Sequence, residues 1–175
     1  MSKLHTARAI IHTPYESSRG KVYDSVLLTL EGFHGKYGLP GGTIEKGESP
    51  VEAAVREVWE EFHLVLHPDD AKKVETYDGH VRTHDIFLFK NVSGRLKVDS
   101  KELKGIGFLN AGSHNRIPPH LLERYVSTAV RGYFQSNNYQ RESYKQNAFE
   151  IPGYYFIGNT DAKIQDWQTQ RRQFK

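Results

Sequence analysis

VREVWEEFHL, residues 55–64, sets Glu57, Glu60 and Glu61 among Val55, Val58, Trp59, Phe62 and Leu64 in a chain of net charge +3. The run just before it, Ser49-Pro50-Val51-Glu52, is a helix start with its parts in order. Ser49 is the N-cap, Pro50 takes the first helical position, and Glu52 stands three residues after the cap, where it closes a capping box. This predicts a helix over about 50–62. On a helical wheel Val51, Ala54, Val55, Val58 and Phe62 form one stripe, and Glu57, Glu60 and Glu61 gather on the opposite side at i, i+3 and i+4. One face packs and the other collects carboxylates.

Like charges at that spacing destabilise a helix unless a cation stands among them. Arg56 can reach Glu52 and Glu60 at i±4, so an ordinary solvated ion-pair network accounts for part of the cluster. The preceding loop adds more. EGFHGKYGLPGG, residues 31–42, holds five glycines and one proline, a composition that lets backbone turn tightly and approach a ligand. Gly41, Gly42 and Glu48 bring carbonyl oxygens and a fourth carboxylate to the helix start. Hard oxygen donors suit Mg²⁺ or Mn²⁺, and Mg²⁺ that keeps several waters is normally shared with substrate phosphates. The pattern points to phosphorus chemistry.

The 175 residues suffice for one compact domain and are short for two, so the expectation is a single domain over 1–175 with a C-terminal extension from about 135. No run approaches the roughly 20 apolar residues of a membrane span, and MSKLHTARAII lacks the apolar core of a secretory signal, so the expected location is the cytoplasm. The absence of cysteine excludes disulfides, thiolate metal sites and cysteine nucleophiles. Twenty-four Lys+Arg against 21 Asp+Glu suit an anionic small molecule without arguing for nucleic acid.

Along the chain, 7–11 and 22–30 read as strands, VETYDGHV (74–81) and HDIFLF (84–89) as a strand pair, and 106–109 as a further strand. Pro118-Pro119 opens a second helical pattern, carried by Leu121, Leu122, Tyr125, Val126, Ala129, Val130, Tyr133 and Phe134. Residues 135–150 are polar and aperiodic, IPGYYFIG (151–158) is apolar again, and Ile164, Trp167 and Phe174 suggest a terminal helix. That tail docks on the domain, meets a second copy in a homodimer, or frays, and its basic RRQFK could touch phosphate.

The segment Gly42-Thr43-Ile44-Glu45-Lys46-Gly47-Glu48, followed by Ser49 through Val55 and then Arg56-Glu57-Val58-Trp59-Glu60-Glu61-Phe62-His63-Leu64, resembles the 23-residue signature of the Nudix hydrolases with every spacing kept. LPGG at 39–42 and the preceding GKYG resemble the MutT-like branch. The resemblance implies an α/β fold, a Nudix-type α/β/α sandwich with a mixed β-sheet, over roughly residues 4–134. It also implies that Glu57, Glu60 and Glu61, with the Gly41 carbonyl, bind Mg²⁺ (or Mn²⁺) on a diphosphate, while Arg56 and Glu48 orient those carboxylates. Glu57 and a downstream acid are then rival general bases. Glu102 resembles the position of an additional acidic ligand and reads equally as a solvated loop residue; Asp99 is a weaker candidate.

One position departs from the pattern: His63 stands where the family has glycine, and reads as a tolerated left-handed helix cap. The substrate side is less defined. Gly42, Arg8 and Tyr37 are candidate substrate contacts, although Arg8 could simply salt-bridge, and Tyr37 and Phe33 could stack on a base or fill core. His80 and His84, four apart, would share a strand face without a third ligand to make a zinc site. The expected reaction is Mg²⁺-dependent hydrolysis of a nucleoside diphosphate linked to another group, foremost a nucleoside triphosphate. NDP-sugars, ADP-ribose and dinucleoside polyphosphates are alternatives, and a silent nucleotide-sensing or RNA-binding module is the rival of another class.

Overall fold

The computed structural model describes residues 2–11, 15, 16, 22, 23, 25–31, 35–89, 91–94, 103–110, 122–136 and 155–157. In chain order the elements are β1 (Leu4–Ile11), β2 (Tyr15–Glu16), β3 (Val22–Tyr23), β4 (Ser25–Glu31), β5 (Tyr37–Gly38), β6 (Gly41–Thr43), α1 (Pro50–Phe62), β7 (Val65–Leu66), a 3₁₀ turn (Pro68–Asp70), β8 (Lys72–Asp78), β9 (Arg82–Phe89), β10 (Val92–Ser93), β11 (Leu103–Asn110), α2 (Arg124–Ser136) and β12 (Tyr155–Ile157). They group into two compact units, Met1–Ile11 with Leu39–Asp99, and His12–Gly38 with Ser100–Lys175.

The first unit is built on a four-stranded sheet in the order β6-β1-β9-β8. β1 runs parallel to β9, while β6 and β8 pair antiparallel to their neighbours, so the sheet is mixed and the class is α/β. α1 packs on β1 and β6. Ala7, Ala9, Ile11, Ala53, Ala54, Val58, Phe62, Phe87 and Phe89 are buried in this unit's core. Small residues at 7, 9, 53 and 54 let backbone approach backbone, and the phenylalanines fill the remaining volume.

α1 spans the residues its sequence predicts, and its cap is complete. Ser49 Oγ accepts from the Glu52 N–H at 3.3 Å, and Glu52 Oε2 accepts from the Ser49 N–H at 2.8 Å. The helix ends on His63 at φ 56 and ψ 24, whose N–H donates to the Trp59 carbonyl at 2.9 Å. His63 is therefore the left-handed cap that the sequence suggested. Beyond it the chain is held in place. β7 pairs with β10, Gly94 (φ +98) lies so close to the His63 carbonyl that a Cβ would stand 2.8 Å from it, and Asp70 accepts from the backbone and side-chain nitrogens of Asn91.

On the inner strand β9 Asp85 is buried and fully engaged. Its carboxylate meets Lys73 Nζ at 2.7 Å, His5 Nε2 at 2.8 Å and Thr76 Oγ1 at 2.6 Å. Burial raises its pKa, but the hydrogen bonds from Lys73 and Thr76 and the charges of Lys73 and His5 outweigh burial and hold it below the usual carboxylate value.

The second unit holds a sheet in the order β12-β11-β4-β5, with β11 antiparallel to β4 and parallel to β12. Val26, Leu27, Leu28, Tyr37, Leu109, Leu122, Tyr125, Val126, Ala129 and Val130 are buried in it. Strands are present where they are expected at 22–30 and 106–109, as β3 and β4 and as β11. α2 begins at Arg124 rather than just after Pro118-Pro119. Leu122 bridges to Tyr37 and the Glu123 N–H donates to the Tyr37 carbonyl, which keeps those two residues out of the helix. The expected terminal helix lies outside the described residues.

Phe62 is fully buried, so Phe62→Ala is expected to cost about 3–5 kcal/mol in urea unfolding. Loss of the cap in Ser49→Ala should cost about 1 kcal/mol. A Phe62→Ala variant as stable as the wild type would show that α1 does not anchor this core.

Candidate active site

Arg56 organises the acidic face of α1. Its Nε and Nη2 grip Glu48 in a two-pronged pair at 2.8 and 3.1 Å. Nη1 donates to Glu57 Oε1 at 3.0 Å and to Glu60 Oε2 at 3.1 Å, and Nη2 also reaches the Thr43 carbonyl at 3.1 Å. A guanidinium has five N–H donors, and these bonds use all of them. Three carboxylates around one guanidinium leave an excess of negative charge to attract a further cation.

The protonation states follow from these contacts. The hydrogen bonds from Arg56, together with its charge and one from the Glu45 backbone, hold Glu48 below the ordinary carboxyl value despite partial desolvation. Arg56 is pushed up, first by its hydrogen bonds to Glu48, against the opposing effect of burial, and further by Glu57. Both groups stay charged at neutral pH.

Gly41 and Gly42 bring backbone to this face. A Cβ on Gly42 would collide with the Glu57 carboxylate, so only glycine lets that carboxylate lie against β6. The Gly41 N–H donates to Glu61 Oε2 at 3.2 Å. Glu61 is accordingly buried, 4% exposed, with Ala54, Val58 and Phe62, and is not on a solvated face as the wheel placed it. Trp59 is half-exposed and packs against the His63 ring at 5.2 Å between centroids.

Arg8 belongs to the same region. It is buried, and its Nη1 donates to the carbonyls of Gly41 at 2.9 Å and Leu39 at 3.1 Å. Tyr37 is fully buried in the second unit. His80 is exposed in the turn between β8 and β9, whereas His84 is buried on β9 with Nδ1 2.6 Å from Thr6 Oγ1. The turn at Gly79–Val81 breaks the strand periodicity, so the two histidines do not share a face. Glu102, Asp99, Phe33, Trp167 and the RRQFK tail lie outside the described residues. Two contacts escaped the sequence reading, the Thr43 carbonyl on Arg56 and the Gly41 carbonyl on Arg8. The first is set by the packing of α1 on β6 and the second by the register of β1 against β6, neither of which leaves a mark in local spacing.

The donor chemistry of Glu57, Glu60, Glu61 and the Gly41 carbonyl fits a hard divalent ion. Among the described residues no three His, Asp or Glu side chains form a ready cage.

The lowered Glu48 pKa has a readable sign. A carboxyl depressed in the folded state adds stability above its ordinary value of 4.5 and loses it as pH falls through the lower folded value. The stability gap between wild type and Glu48→Gln should be full at neutral pH and smaller at an acidic pH below the ordinary value of 4.5. Chemical unfolding at both pH values measures it, and an equal gap at both would show that the Glu48–Arg56 pair does not act through charge.

A family model, the NUDIX domain, matches residues 5–127. Among solved structures, the MutT protein of Methanosarcina mazei Go1 is 20% identical, with a TM-score of 0.58, over 79% of this chain and 99% of that one. The MutT Nudix hydrolase of Burkholderia pseudomallei is 21% identical, with a TM-score of 0.57, over 75% and 98%. An Ap4A hydrolase of C. elegans is 17% identical, with a TM-score of 0.54, over 77% and 97%. At these identities the structures speak for fold, and the family model covers most of the chain together with the whole acidic signature. The chain thus belongs to the Nudix hydrolase family, as an enzyme of phosphoric anhydride bonds.

Proposed function

We propose that the chain is a Mg²⁺-dependent hydrolase of nucleoside diphosphates linked to another group, foremost a nucleoside triphosphate pyrophosphohydrolase. The observation that carries this reading is the convergence of Glu48, Glu57 and Glu60 on one spent arginine, with Glu57 laid against Gly42. A scaffold or binding module has no need of such an excess of fixed negative charge, and an anionic nucleotide would meet it only with a divalent ion between them.

In this reading Glu57, Glu60, Glu61 and the Gly41 carbonyl hold Mg²⁺ or Mn²⁺. When bound, the ion neutralises the diphosphate and acidifies water near phosphorus. Glu48 and Arg56 fix the carboxylates that do the holding, which lowers the reorganisation needed at the moment of reaction. Water adds to phosphorus, its proton passes to a carboxylate, and the anhydride P–O bond breaks to release a nucleoside monophosphate and a second phosphate-bearing fragment. Glu57 is one candidate for that carboxylate and Glu102 the other. A second substrate class, dinucleoside polyphosphates, is favoured by the shared fold with the C. elegans Ap4A hydrolase. NDP-sugars and ADP-ribose complete the panel.

Glu60 is half-exposed, so Glu60→Gln should keep its melting temperature while lowering kcat by about 10²- to 10³-fold. The measurement is phosphate or monophosphate release with Mg²⁺ across nucleoside triphosphates, NDP-sugars, ADP-ribose and dinucleoside polyphosphates. Turnover that persists in Glu60→Gln would overturn the site assignment. Silence of the wild type across the panel, with salt-dependent RNA binding, would favour the sensing or RNA-binding module.

A further inference from the structure

We propose that His63 is a positioning residue for the carboxylates at the end of α1, its ring clamping the last turn of the helix through Trp59; this rests on the reading above, in which Glu60 and Glu61 are metal ligands. That turn has reason to loosen. It carries Glu60 and Glu61 at the negative end of the helix dipole, and no basic residue stands in it to offset them. Glu61 is anchored on the Gly41 N–H, whereas Glu60 is half-exposed and, among the described residues, its side chain is bonded to Arg56 alone.

His63 fixes the turn in three ways. Its N–H donates to the Trp59 carbonyl at 2.9 Å, its ring meets the Trp59 ring at 5.2 Å between centroids and 54° between planes, and its own carbonyl lies against Gly94. A tilted ring pair at that distance is a favourable aromatic geometry. Gly94 comes so close that a Cβ on it would also stand 3.6 Å from the Leu64 Cα, and the β7–β10 pairing and the Asp70–Asn91 bonds keep it there. Helix backbone, ring and neighbouring strand thus meet at one residue.

Glycine, the residue at this place in the family signature, would adopt φ 56 with less strain but would bring no ring. The backbone cap is open to either residue, so the ring is what histidine adds. Trp59 directly precedes Glu60, and holding both its side chain and its carbonyl holds the peptide from which Glu60 projects. A helix end that frays would let the Glu60 carboxylate wander from Glu57. Fixing it places the two together before the ion arrives, which strengthens binding without adding a ligand.

The test is Mn²⁺ binding to nucleotide-free protein, read by the loss of free-ion EPR signal, with the melting temperature measured beside it. His63→Gly and His63→Asn both accept a left-handed cap and lack the ring, so both should bind Mn²⁺ about two- to tenfold more weakly than wild type. Trp59→Ala removes the other ring and should show the same loss, and Trp59→Ala combined with His63→Gly should lose no more than either alone. His63→Phe keeps a ring on a strained cap, so it should melt lower than wild type yet hold Mn²⁺ with near wild-type affinity. If His63→Phe does not fold, His63→Gly and the half-exposed Trp59→Ala decide. His63→Gly and Trp59→Ala variants that bind Mn²⁺ as tightly as wild type would overturn the proposal and leave His63 a plain cap, as would an affinity that follows melting temperature through every variant. Mn²⁺ binding that is identical in wild type and Glu60→Gln would instead sink the metal-site reading itself, and the His63 proposal with it.

Discussion

The candidate site depends on a single guanidinium that has no donor left to give. Arg56 ties the loop residue Glu48, the β6 carbonyl of Thr43 and the helix residues Glu57 and Glu60 into one network. Without it, like charges on α1 would repel each other one turn apart, and the longer side chains would spread into solvent. With it, the carboxylates are held at fixed places while their combined charge still exceeds that of the arginine. Rigidity and residual negative charge are what an ion shared with a substrate requires, and both follow from how the donors of one side chain are divided.

The backbone beneath the network is constrained just as closely. Glycine is needed at 42 because the Glu57 carboxylate occupies the space of a side chain, and at 41 because the chain there is left-handed and presses on β1. Glu61 reaches down to the same strand and is buried for that reason. The cap at Ser49 and the left-handed His63 fix the two ends of α1, so the rotation of the helix, and with it the direction of every carboxylate, is set by bonds at its termini as well as by the packing of Phe62 and Val58.

Much of this was legible in the sequence because its causes are local. A serine, a proline and a glutamate at fixed offsets specify a helix start, and the spacing of acids along a helix specifies a face. What remained hidden depends on partners distant in the chain. Arg8 could not be assigned until β1 was set in register against β6, and Glu61 could not be known as buried until Gly41 was placed beside it. The start of α2 moved for a similar reason, since Leu122 and Glu123 are taken up by Tyr37, more than eighty residues earlier. His80 and His84 were misjudged because spacing along a strand means nothing once a turn intervenes.

The pairing of β1 with β9 carries one more consequence. Thr6 lies beside His84, so the central strands of the site-bearing unit are separated by 78 residues of sequence. The N-terminal strand therefore leaves the ribosome long before its parallel neighbour is synthesised, with Ala9, Ile10 and Ile11 still unpaired on that side. Contacts so distant in sequence are slow to form, because loop closure precedes any gain from the pairing. Until residue 89 emerges, the newborn chain therefore carries an apolar strand without the neighbour it pairs with in the folded sheet.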